Sequence, residues 1–293
     1  ASILVKELAS YYGLNEDQVF VGVGSDDVLA MSFLTFFNSD KPVLFPDVTY
    51  SFYKVWADLF KVPFETPVLK EDFTIDVKDY EKENGGVIFP NPNAPTGVYM
   101  PLDQVEEILK ANQDVVVIVD EAYVDFAGPS ALELLDKYEN LLVVQTFSKS
   151  RSMAGMRIGF AMGHPDLIRA LNDVKYSYNS YTMNLPSLLA GVEAVKDKEY
   201  FEKTIEKIVA TRERAKKRLT ELGFTFPNSQ SNFIFASHKS VPAGKIFEAL
   251  KKEQIYVRYF KTPGLDNSLR ISIGTDEEMD TLFRFLEAYL PNA

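Results

Sequence analysis

The chain has 293 residues, 46% of them hydrophobic, and a formal net charge of −11. Length and apolar content suffice for a sizeable core in two lobes, whereas the acidic balance argues against a nucleic-acid partner, which wants a basic face. With no Cys, disulfides and thiol catalysis are excluded, and two His argue against a His-rich metal site; with no secretory leader and no apolar run near the roughly 20 residues of a membrane span the expectation is a soluble cytoplasmic α/β enzyme.

In chain order, Ser2 to Tyr12 reads as a helix, Val19 to Val23 as a short strand, and Gly24-Ser25-Asp26-Asp27 as a turn into an apolar helix ending near Phe37. Val43 to Phe45 is a strand, Tyr50 to Phe60 a helix, and Val87 to Phe89 a strand that leads into a proline-rich loop and a helix from Leu102 to Ala111. The runs Val115 to Val119 and Leu141 to Val144 have the continuous apolar character of buried strands, and Arg157 to Met162 follows as another. Strands alternating with helices predict a mostly parallel, helix-covered sheet.

The character changes near Asn184. Leu185 to Val195 and Glu199 to Leu222 read as helices, the second long and charged on one face. Three strands, 232–235, 255–257 and 269–273, then alternate with helices over Ala243 to Lys252 and Glu277 to Leu290. The expected division is a large α/β unit over 1–184 and, over 185–293, a long connecting helix with a smaller α+β unit.

Open α/β sheets gather their chemistry beyond the carboxyl ends of parallel strands. Asp120-Glu-Ala-Tyr123 and Ser148-Lys149 stand at two such ends, and Arg157 opens the next strand. An amine, a carboxylate, a phenol and a guanidinium on one rim are what pyridoxal phosphate requires. The lysine bonds its aldehyde carbon, the acid partners the pyridine nitrogen and cationic groups hold the phosphate. Gly22-Val-Gly-Ser-Asp26 opens a helix after a strand, where free amides attract phosphate; it lacks the third glycine of a dinucleotide fingerprint, so a dinucleotide enzyme is a distant alternative. Asn91-Pro-Asn-Ala-Pro-Thr-Gly97 is a stiff loop able to aim an Asn amide at a ligand. Tyr50 follows a strand end, where its ring can lie over a planar cofactor. Arg270 faces away from the side taken by Leu269 and Ile271 and suits capture of a carboxylate or phosphate, with Arg258 read the same way. His164 and His238 are assigned structural or surface roles.

Together these motifs, in this order along essentially the whole chain, resemble the fold-type I pyridoxal-phosphate aminotransferases, and within them the class II group. The resemblance implies that Lys149 carries the cofactor and moves protons, Asp120 holds the pyridine nitrogen, Tyr123 meets the phenolic oxygen and Tyr50 stacks on the ring. It further implies that Ser25, Asp26, Ser148 and Arg157 hold the phosphate, with Arg258 and Arg270 binding the substrate's acidic groups. The family often carries Asn immediately before Pro-Thr-Gly; this chain has Ala94, so Asn93 is the residue left to supply that contact.

The activity implied is amino transfer between histidinol phosphate and a 2-oxo acid, 2-oxoglutarate, by a homodimer. Alternatives within the fold are an aromatic-amino-acid aminotransferase or a threonine-phosphate decarboxylase. Relatives also carry an N-terminal arm ahead of the point where this chain starts, which closes over substrate and lends a tyrosine to the partner's phosphate site. Without it, weakened cofactor affinity and poor turnover are expected, at the extreme a cofactor-binding protein that does not turn over.

Overall fold

The computed structural model describes residues 1–293. Seven strands form one sheet: Val19–Gly22 (β1), Val43–Leu44 (β2), Phe64–Glu65 (β3), Gly86–Pro90 (β4), Val117–Asp120 (β5), Leu141–Thr146 (β6) and Gly159–Gly163 (β7), in the order β1-β7-β6-β5-β4-β2-β3. The strands from β3 to β6 pair in parallel, and β7 runs antiparallel to both β6 and β1. Every residue of β4, β5 and β6 is buried, as expected of strands covered by helices on both faces.

Alternation along these strands assigns each side chain to a face. Val87, Phe89, Val117, Val119, Leu141 and Val143 enter one core, with Leu4 and Leu8 of the helix Ser2–Tyr12 (α1) and Val105 and Ile108 of Leu102–Ala111 (α4). Ile88, Ile118, Leu142 and Val144 enter the other. That core is shared with Phe33 of Ser25–Phe36 (α2), Tyr53 and Trp56 of Phe52–Phe60 (α3) and Ile168 of Pro165–Tyr178 (α5). By the same parity Asp120 belongs to the α2–α3 face and its neighbour Glu121 to the α1 face.

Leu185–Lys196 (α6) packs on the large sheet: Leu188 and Val195 lie in the α1-side core, and a Cβ on Gly191 would press on Leu4 and Ile158. The sequence reading starts the second unit at Leu185, but this apolar face binds α6 to the first. The second sheet is antiparallel, in the order Arg258–Tyr259 (β10), Leu269–Ser272 (β11), Phe233–His238 (β9), Phe224–Thr225 (β8). Lys198–Glu221 (α7), Ala243–Lys252 (α8) and Asp276–Tyr289 (α9) pack with it around Ile234, Leu250, Ile271 and Phe283.

Three elements were not anticipated: β3, β8 and α5. The last starts with Pro165 at its first turn, capped by His164 Nδ1 accepting from Asp166 N. The strand expected at 255–257 forms instead at Arg258–Tyr259. Ile255 and Val257 do pack into the core, but pairing begins only where Arg258 meets Arg270.

Arg212 of α7 joins the two layers. It is 6% exposed, and its Nη1 donates to Phe126 O at 2.8 Å and Ser231 O at 3.1 Å. Arg212→Ala is expected to cost about 2–4 kcal/mol, because it strands two buried carbonyls and removes the cation. Urea unfolding measures this; a loss below about 1 kcal/mol would show that the joint does not depend on it.

Candidate active site

Asp120 ends β5 at the centre of the large sheet and is 4% exposed. Its Oδ2 accepts from Tyr53 Oη at 2.8 Å and its Oδ1 from Ala122 N at 3.2 Å. Burial raises its carboxyl to about 6, against the pull of these two bonds. The adjacent strand β6 lies in parallel register, Asp120 opposite Val144, so the residues just past β6 reach the same rim. Those are Ser148 and Lys149, both half-buried.

The segment from Phe147 to Ile158 is folded back on itself. Phe147 N donates to Ile158 O at 3.0 Å, Met153 N to Phe147 O at 3.0 Å, and Thr146 Oγ1 to Ile158 O at 3.2 Å. One short connection between antiparallel strands thereby carries Ser148 and Lys149 at one end and Arg157 at the other. Arg157 has φ 52°, uncommon for a side-chain-bearing residue. Its guanidinium lies over Gly24, where a Cβ would overlap it, while a Cβ on Gly159 would overlap the backbone of Gly24 and Ser25. The two glycines let the guanidinium and the β7 backbone close on the first turn of α2, whose opening N–H groups have no intrahelical partner. Arg157 Nη2 is also 3.9 Å from Asp26 Oδ2, and Asp26 Oδ1 accepts from Tyr50 Oη at 2.8 Å. The Arg157 guanidinium and the open amides of the α2 turn are the donor types that suit a phosphate.

The other side is built by Tyr123 and the second sheet. Lys149 Nζ lies 5.4 Å from the centre of the Tyr123 ring, and that ring meets Phe233 edge-on at 5.1 Å. The Arg270 guanidinium sits 4.9 Å from the Phe233 ring. Leu269 and Ile271 point into the core, as the alternation predicted, and Arg270 points the other way. Its Nε is buried without a partner, and across the β10–β11 pair it faces Arg258. Two guanidiniums opposite one another repel unless an anion lies between them.

Most of the predicted residues fall into two chains of contacts: Arg157, Asp26, Tyr50 and Asp120, the last two joined through Tyr53, and Lys149, Tyr123, Arg270 and Arg258, joined through Phe233. Tyr50 is half-buried, 5.8 Å from the Tyr53 ring. Asn93 is the residue that fits least. Its Nδ2 is committed to Val48 O and Thr96 Oγ1, both at 3.0 Å, and only its buried Oδ1 lacks a partner. The remaining donors and acceptors suit pyridoxal phosphate: a guanidinium and open helix amides for the phosphate, a buried carboxylate for a ring N–H, and a lysine whose charge reaches that carboxylate.

Sequence reasoning missed two features. Tyr53 reads as one more aromatic of an amphipathic helix, and nothing local signals a partner 67 positions away. Glu121 is 2% exposed on the opposite face. It accepts from Ser130 Oγ at 2.6 Å, Ala131 N at 2.6 Å and Gln145 Nε2 at 2.8 Å, and Gln145 Oε1 in turn accepts from Tyr12 Oη at 2.7 Å. This network ties β5, β6 and α1 together just behind Asp120 and Lys149. Burial raises the Glu121 carboxyl to about 7.

A family model described as aminotransferase class I and II matches residues 3–286. The chain is 50% identical over 292 residues to a histidinol-phosphate aminotransferase of Brachyspira hyodysenteriae, covering 99% of this chain and 82% of the relative. It is 54% identical over 276 residues to one of Clostridium acetobutylicum, covering 94% and 78%. In three dimensions it is similar to the histidinol-phosphate aminotransferase of Sinorhizobium meliloti solved with pyridoxal-5'-phosphate. There the TM-score is 0.87 at 24% identity, covering 99% of this chain and 81% of that one, a likeness of fold.

Two outcomes follow from this geometry. Asp120 and Glu121 hold their protons to higher pH when folded than when unfolded, so between about pH 4 and pH 7 the folded state binds more protons and stability falls as pH rises. The cofactor-free protein should therefore be more stable at pH 5.5 than at pH 8, by about 2 kcal/mol, in urea unfolding; a stability that climbs steadily to pH 8 would contradict this. Gly159→Ala should push the α2 turn aside and weaken cofactor binding by roughly tenfold or more. Quenching of Trp56, the sole tryptophan, 6.2 Å from the Tyr50 ring, reports that binding.

Proposed function

The chain belongs to the aminotransferase class I and II family, and from that premise we propose that it moves an amino group between histidinol phosphate and 2-oxoglutarate. The observation that carries the donor is identity of 50% or more with proteins named for it, over at least 94% of this chain. The facing arginines on β10 and β11 suit it physically, since the donor bears a phosphate and the acceptor two carboxylates.

When bound, pyridoxal phosphate supplies an aldehyde to receive the amino group and a ring that takes up the electron pair of the substrate's C–H bond. In our reading Lys149 would be its attachment point and the base that takes a proton from the substrate carbon. Asp120 would accept the ring N–H, Tyr50 would stack on the ring, and Tyr123 would donate to the phenolic oxygen. The α2 amides at Ser25 and Asp26, with Ser148 and Arg157, would hold the phosphate. Arg270 and Arg258 would bind the acidic groups of the substrates. Asn93, with its amide spent on Val48 and Thr96, has only its carbonyl oxygen to offer.

A homodimer working in the cytoplasm belongs to the same proposal. It is supported by exposed apolar side chains on α3 (Phe52, Val55, Leu59) and on and near α5–α6 (Tyr178, Leu185, Leu189), a density unusual for a surface facing only water. No helix of the chain is long and apolar enough to cross a membrane.

Steady-state kinetics with histidinol phosphate, histidinol and phenylalanine test the donor. The phosphorylated donor should lead in kcat/KM by at least roughly a hundredfold, and Arg258→Ala and Arg270→Ala should erase most of that lead through KM. A preference for phenylalanine, or arginine variants that leave the ratio untouched, would contradict the assignment.

A further inference from the structure

Tyr53 is fully buried, and its hydroxyl has a single partner, Asp120 Oδ2 at 2.8 Å. The ring is held by Phe33, Phe45, Tyr50 and Trp56, with centroids 5.8–6.4 Å away. A phenylalanine would fill that space equally well, so packing does not explain the hydroxyl. A buried phenol and a buried carboxylate are each costly to desolvate; placed together they satisfy one another, and a phenol donating to an ionised oxygen makes one of the stronger hydrogen bonds.

Asp120 has no ion-pair partner within 4 Å among the chain's Lys, Arg and His side chains; its charged or titratable surroundings are Lys149 beyond β6, Asp26 on α2, and Tyr50, Tyr53 and Tyr123. Of these Asp26 works against its ionisation, and Tyr53 is the side chain that donates to it. With Oδ2 engaged by Tyr53 and Oδ1 by Ala122 N, the carboxylate is fixed in rotation, and each oxygen keeps a free lone pair for a further donor.

We propose that Tyr53 is a positioning residue for the transamination: its hydroxyl locks the Asp120 carboxylate in the orientation, and in the ionised form, that receives the cofactor's ring N–H. The inference rests on the assignment of Asp120 to that nitrogen. Burial already raises Asp120 to about 6, and the Tyr53 bond is the largest of the influences opposing it. Its loss moves the carboxyl further toward neutrality, so cofactor binding, which needs the anion, fails at a higher pH as acid is added.

The test is a double-mutant cycle of Tyr53→Phe and Asp120→Asn in the full chain, read by cofactor affinity from Trp56 quenching and visible absorbance across pH 5 to 8. Tyr53→Phe is expected to weaken binding by roughly tenfold and to raise the pH at which binding is half lost by about one unit. In the Asp120→Asn background the same change should alter affinity less than about twofold. Unchanged affinity and midpoint in Tyr53→Phe, or an equal loss in both backgrounds, would overturn the proposal. Should Tyr53→Phe fail to fold while the double variant folds, the unpaired buried anion is responsible and the proposal stands; failure of both makes Tyr53 a packing residue and overturns it. Asp120→Asn alone binding and turning over as the parent does would remove the underlying assignment, and the inference with it.

Discussion

A carboxylate held inside the protein without an ion-pair partner is the constraint around which this structure is arranged. Asp120 stands at the end of β5, the middle strand of the large sheet, where every neighbouring residue of the strand is apolar and buried. Such a group is unfavourable unless it is hydrogen-bonded. Strand parity sends it to the α2–α3 face, where Tyr53 and the Ala122 amide meet it. The same parity sends Glu121 and Gln145 to the α1 face, where a second buried network fixes the ends of β5 and β6 relative to one another. Asp120 therefore sits on a strand end clamped from behind, and Lys149 lies three residues past the end of β6, in a connection folded back through Phe147, Met153 and Ile158.

Local conformation at the rim serves the same end. Arg157 occupies the left-handed region, and Gly24 and Gly159 give up side chains so that backbone and guanidinium can approach the start of α2. Two carboxylates with raised pKa, one strained arginine and two facing arginines all lower stability in the free chain. Under the proposed function all but Glu121 would be relieved by a ligand: an N–H for Asp120, a phosphate for Arg157 and the α2 amides, an acidic substrate for Arg258 and Arg270. The second sheet contributes through Phe233, which carries Arg270 on one side and packs against Tyr123 on the other.

Much of this was legible in the sequence, for definite reasons. The buried strands β4, β5 and β6 are runs of Val, Ile, Leu and Phe, and each ends in a polar motif, so both the sheet and the rim follow from pattern alone. Arg270 was placed correctly because Leu269 and Ile271 leave it the opposite face. Short strands escaped: β3 and β8 span two residues each, too few for a period. Helix α6, read as the start of the second unit, packs on the core of the large sheet, because an apolar face does not say which core it enters. Tyr53 and the Tyr12–Gln145–Glu121 network were invisible, since each joins residues far apart in sequence through hydroxyl and amide groups that have no periodicity.

The central claim is that this rim holds pyridoxal phosphate on Lys149. Reducing the cofactor-loaded protein with borohydride and mapping the modified peptide by mass spectrometry tests it most directly. A single pyridoxyl group is expected on the peptide containing Ser148-Lys149-Ser150, absent from a Lys149→Ala variant. A label on another lysine, or a label that survives Lys149→Ala at full yield, would contradict it.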